Sequence, residues 1–163
     1  MKVINAQLLA SAATILALGL LCLDRPASAQ SNCKDVKGNS MDVFNPVTGV
    51  FSGKISNAGD LDGTTAETFT GSAPTPAPTV FSFTADFVLT THDGQLKASW
   101  VNLYDNATGL FTVMAVINPT TSTGRFAGAT GVLYSNGKTV SSAPFTVAAE
   151  LAGQICYAGN GEN

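Results

Sequence analysis

The chain is poor in charge and nearly without histidine. Asp, Glu, Lys and Arg make up 12% of its 163 residues, and His92 is its one imidazole. That scarcity excludes several function classes. No cluster of basic residues exists to grip a phosphate backbone or an anionic lipid surface, so nucleic acid is not an expected partner. A metal site needs more donors than one His and the few cysteines supply, so neither a metal nor a cofactor is expected. Beyond residue 30 no apolar period of 3.6 holds over three turns, which excludes a helical architecture.

The apolar residues that are present fall first in one block. Leu8–Leu23 is almost wholly apolar, Lys2 precedes it, and Pro26 with Ala27-Ser28-Ala29 follows. This is the pattern of a secretory signal peptide over residues 1–29, cut between Ala29 and Gln30. The run is shorter than the roughly 20 residues of a membrane-spanning helix. Leu21 before Cys22 is not the small residue that a lipoprotein signal requires. A secreted or periplasmic protein with no membrane attachment after cleavage is expected, with residues 30–163 forming one domain. Those residues carry six basic and ten acidic side chains, a net charge of −4. They keep two cysteines, Cys33 and Cys156, near the two ends, and export favours a disulfide between them.

The rest of the chain reads as all-β. In "TVFSFTADFVLTT" (79–91), Phe81, Phe83, Ala85, Phe87 and Leu89 share one face. "HDG" turns the chain, and Leu96, Ala98, Trp100 and Tyr104 share a parity on the return. "NATG" (106–109) makes the next turn. "LFTVMAVIN" is apolar on both faces and is expected to be covered on both. Asn136-Gly137 is the strongest hairpin-turn signal. Phe145, Val147, Ala149, Leu151 and Ile155 are in phase in the last strand. The upstream strands are less regular, and "MDVF" (41–44) reads as a short one. The proline-rich "SAPTPAPT" (72–79) reads as an exposed extended connection outside the central sheet. Seven or eight hairpin-linked strands predict an up-and-down antiparallel β-barrel; a two-sheet β-sandwich is the alternative.

"STGRFAGATGVL" (122–133) holds Gly124, Gly128 and Gly131 around Phe126. It lacks the lysine and helix start of a phosphate loop, and its glycine spacing is not the dinucleotide fingerprint. A structural role is expected: the glycines serve backbone geometry, and Phe126 plugs one end of a barrel. This stretch resembles the G-T-G-x-F-x-G-A-x-G segment of the allene oxide cyclase-like and dirigent-like families, especially their small secreted bacterial relatives. Ser122 stands where those families often have glycine. The resemblance implies a calycin-like barrel of about eight strands. Those families' cyclases use an acidic residue inside the barrel, which the motif does not locate here.

Candidate chemistry is sparse. His92 sits in a polar turn, and Asp86 and Glu150 lie on the parity opposite the apolar runs, so all three read as solvated. "DLDG" (60–63) resembles the start of a calcium loop but lacks its later ligands. No Ser-His-Asp set stands out, so no catalytic residue is assigned. The remaining constellation is aromatic and apolar: Phe81, Phe83, Phe87, Trp100 and Met114 are the candidate barrel lining for a small apolar ligand. The leading expectation is an exported, non-catalytic barrel protein of unknown role that either binds such a ligand or acts through its surface. An isomerase or cyclase, and a structural protein acting through homo-oligomers, are the alternatives. An interior acid beside an open cavity would favour the enzyme.

Overall fold

A computed structural model describes residues 32–159; the expected signal segment and the Ala29–Gln30 cleavage site lie outside them. Eight strands run in chain order: β1 (Asn32–Asn45), β2 (Val50–Ser56), β3 (Gly63–Pro74), β4 (Val80–Thr91), β5 (Gly94–Asp105), β6 (Leu110–Ile117), β7 (Thr130–Ser142) and β8 (Phe145–Tyr157). Each pairs antiparallel with the next, and β8 pairs back onto β1, so the sheet closes as an up-and-down barrel without free edges. The sandwich alternative is thereby excluded.

Local sequence accounts for most turns. The β4–β5 hairpin turns on His92-Asp93, with Thr91 opposite Gly94. Between β5 and β6, the Asp105 side chain accepts from the Ala107 backbone N–H at 3.0 Å and from the Thr108 hydroxyl at 2.8 Å, the local bonding that makes Asx turns cheap. Asn136-Gly137, by contrast, is no turn: both residues lie inside β7. Gly137 faces inward there, and a Cβ would run into the Phe111 ring and the Ala148 carbonyl, so close packing explains this glycine. β1 extends well beyond "MDVF", and β3 continues into Ser72, Ala73 and Pro74, which pair with β4 as the first part of the proline-rich stretch.

One end of the barrel is packed shut. Phe126, Leu61, Leu89, Leu96 and Ile155 are its largest fully buried side chains. Two short 3₁₀ turns, Gly59–Leu61 and Gly124–Phe126, carry Leu61 and Phe126 into this end. The second turn is fastened to the start of β5: Thr123 N–H donates to the Gln95 carbonyl at 2.8 Å and Arg125 N–H to the Asp93 carbonyl at 2.9 Å. Gly124 has φ +60°, and a Cβ there would collide with that Asp93 carbonyl, so glycine alone lets the loop approach. Gly128 and Gly131 also have positive φ, +74° and +144°. Outside Phe126, Arg125 pairs with Asp60 at 2.8 Å and lies 5.0 Å from the Tyr157 ring centre. The Cys33–Cys156 disulfide links directly opposed residues of β1 and β8 at the same end.

The two-sided strand departs from expectation. Phe111, Val113, Ala115 and Ile117 of β6 face inward, but Leu110, Met114 and Val116 face out and are about half exposed. They continue a half-exposed outer face with Val101 and Leu103 of β5 and Tyr134 of β7.

Candidate functional site: the barrel cavity

Above the packed end the barrel is hollow. A cavity of about 490 Å³ opens toward the β1–β2, β3–β4, β5–β6 and β7–β8 turns, within the range of small-molecule sites. Residue size creates it. The packed end is filled by Leu, Ile and Phe, whereas Ser40, Thr65, Ala115 and Ser135 leave the middle wide. Aromatic rings form the walls. Phe69 lies 5.5 Å from Phe83 and 5.9 Å, edge to face, from Trp100. Phe51 packs against Phe44 and Phe145 at 5.0 and 5.9 Å.

Three expected lining residues, Phe83, Phe87 and Trp100, do line this cavity. Two do not. Met114 is 45% exposed on the outer face, because a strand apolar on both sides gives no parity signal in sequence. Phe81 is 40% exposed at the rim, beyond the lining, because β4 ends there. His92 is exposed in its turn, and Asp86 and Glu150 are exposed on the outer face.

The polar floor of the cavity is what sequence reasoning missed. Asp42 of β1 and Glu67 of β3 both line it. Asp42 is 3% exposed and accepts a hydrogen bond from the Thr65 hydroxyl. Desolvation pushes its carboxyl above the usual range, against the lowering effect of the Thr65 and Ser40 hydroxyls. Gly53 stands opposite Asp42 in β2, and a Cβ there would come within 2.6 Å of Asp42 Oδ1, so this glycine makes room for the carboxyl. Glu67 is half-buried: the cavity leaves part of it accessible, while the barrel wall displaces most of its bulk water. That desolvation, reinforced by the neighbouring Asp42 charge, pushes its carboxyl up to about 8. At neutral pH Glu67 is therefore mostly protonated. Both acids do carry a sequence signal. Asp42 is in phase with Phe44, and Glu67 with Thr65 and Phe69, so each is an acid on an aromatic strand face.

No family model, no curated protein and no solved structure matches the chain.

Site chemistry therefore rests on the residues themselves. Two further groups are telling. Trp100 Nε1 and Asn102 Oδ1 belong to residues that line the cavity but are themselves enclosed in its wall, and neither atom has a hydrogen-bond partner among the described residues. A buried donor or acceptor left unpaired costs about 1–3 kcal/mol. Aromatic walls and two carboxyls suit an apolar molecule with at least one polar substituent.

Proposed function

We propose that this protein binds a small, largely apolar molecule inside its barrel. The observation that carries the reading is the aromatic-walled cavity, shut at one end, with the Asp42 and Glu67 residues among its lining. The wider reading is of an exported relative of the allene oxide cyclase-like and dirigent-like barrels. Three features support it: the eight-strand up-and-down topology, the closing role of "STGRFAGATG", and a disulfide that fits an oxidising compartment.

Trp100 is the sole tryptophan, so its emission reports on the cavity wall. Titration with the neutral dye N-phenyl-1-naphthylamine is expected to quench Trp100 saturably, at one dye per chain. Ser135→Phe, which fills the cavity, is expected to weaken the dye at least tenfold. Quenching that S135F leaves unchanged would place the dye elsewhere and refute the reading.

The interior acids favour a second reading, an isomerase or cyclase. A Glu67 held protonated at neutral pH is a general acid poised near its working pH, with Asp42 beside it as the second carboxyl. The test is turnover of an apolar epoxide or enol ether followed by mass and chiral analysis. Glu67→Gln is expected to abolish turnover while the dye still binds; equal turnover by both proteins removes Glu67 from the chemistry. The half-exposed outer face of β5, β6 and β7 supports a homo-oligomer, which light scattering of the purified protein tests directly.

A further inference from the structure

We propose that the preferred ligand is an organic amine: a protonated nitrogen on an apolar, ring-sized body, bound between the Asp42 and Glu67 carboxyls and the aromatic walls. The inference rests on the ligand-binding reading above and names the ligand's class.

The charge of the lining decides between ligand classes. Among the described residues, no Lys, Arg or His lines the cavity, and its two carboxyls face each other's field. The titratable neighbours can be named strand by strand. Asp42 of β1 and Tyr104 of β5 line the cavity with Glu67. Lys54 of β2, Asp86 of β4, Lys97 of β5, Lys138 of β7 and Glu150 of β8 fall on the outward parity of their strands. An anionic ligand such as a fatty acid would meet the Asp42 charge and no cationic side chain in a poorly hydrated space. A neutral ligand would leave the carboxyls desolvated, with Glu67 unable to ionise beside Asp42. A cation relieves both penalties at once. It pairs with the carboxylates, and aromatic rings from several strands line the same space, the residue types by which proteins hold ammonium groups.

The proton balance follows. In the free protein at pH 7 Glu67 holds its proton, because burial and the Asp42 charge keep its carboxyl up near 8. A bound ammonium favours the carboxylate, so the Glu67 proton leaves to solvent as the ligand enters. Binding is then linked to the release of about one proton, and affinity rises about tenfold per pH unit between pH 6 and 7, levelling near pH 8.

The experiment uses three probes on one body: 1-naphthylmethylamine, 1-naphthylmethanol and 1-naphthylacetate. Each is titrated by calorimetry at pH 7 in phosphate and in Tris, whose ionisation heats differ. The amine is expected to bind at least tenfold tighter than the alcohol, with the carboxylate weakest. Only the amine should show a heat that depends on the buffer, reporting proton release. In Glu67→Gln the amine's lead over the alcohol is expected to shrink, Asp42 remaining as its one carboxyl partner, and the proton release to vanish. The wild-type ranking stands as evidence even where that variant folds poorly. An alcohol or carboxylate that binds as tightly as the amine, or an amine that releases no proton, overturns the inference and leaves the cavity reading intact. If none of the three binds and the neutral dye also fails, the cavity reading falls and the inference with it.

Discussion

Replacing Glu67 by Gln should make the protein more stable in alkaline solution and leave it nearly unchanged in acid. In the unfolded chain this carboxyl titrates near 4.5, and in the barrel near 8. Below pH 4.5 both states hold the proton. Between those values the unfolded chain gives it up while the folded barrel keeps it, so unfolding is increasingly favoured. Above pH 8 both are ionised and the loss is complete. A shift of this size corresponds to at most about 5 kcal/mol. Water entering the cavity solvates the ionised form, so we expect about 2–3 kcal/mol. Gln has the same shape and no titration. Asp42 remains in both proteins, and losing its charged neighbour eases its own burial, which adds in the same direction. For a domain of this size that difference corresponds to about 6–15 °C in melting temperature. Thermal unfolding followed by circular dichroism at half-unit steps from pH 5 to 9 measures it. Melting curves of wild type and E67Q that stay parallel across that range would show that Glu67 is not desolvated and would remove the basis for its protonation at neutral pH.

Three further outcomes are expected. Phe126→Ala should lower stability by about 3–5 kcal/mol, because the side chain is fully buried in the packed end; a melting temperature within two degrees of wild type would contradict its role as a plug. Reducing Cys33–Cys156, which closes a separation of 123 residues, should cost about 4–5 kcal/mol in the chain-entropy model, read as a lower denaturant midpoint with dithiothreitol; an unchanged midpoint would show that the β1–β8 seam holds without it. Phe83→Ala should weaken the dye several-fold while Met114→Ala leaves it unchanged, since one residue lines the cavity and the other faces out; equal effects would contradict the inward parity of β4 and β6.

Sequence pattern reveals this barrel where one face of a strand is apolar and the other polar. In β4, β5 and β8 alternation alone assigns the inward residues, including Trp100 and Phe87. It fails where the two faces are alike. β6 is apolar on both, so nothing in "LFTVMAVI" says that Met114 points out. The part of β1 before Met41 fails for the opposite reason: its inward residues include Gly38 and Ser40, so no hydrophobic stripe marks a strand. Asn136-Gly137 misleads because its glycine answers a tertiary contact with Phe111, which local turn statistics cannot register. The closing loop was legible, since three glycines around one aromatic imply close backbone approach wherever they fold.

The cavity was the least legible feature, and the reason is physical. An eight-stranded barrel is just wide enough for its own side chains to fill, so a void depends on residue size at matching heights on different strands. Hydropathy does not record this: Ala115 is as inward as Ile117, and Ser135 is as inward as Leu133. The same argument explains the acids. In a filled barrel, Asp42 and Glu67 would be buried charges without cationic partners, a costly arrangement. Beside a cavity that admits water or a ligand, their burial is tolerable, and Gly53 and Thr65 are placed to accommodate one of them. Small residues at mid-height, acids beside them and aromatics toward the rim thus form one arrangement. Filling the space with Ser135→Phe should therefore weaken ligand binding and also drive the Glu67 carboxyl still higher by removing its remaining water, an upward shift that carbon-detected NMR titration of that side chain can measure.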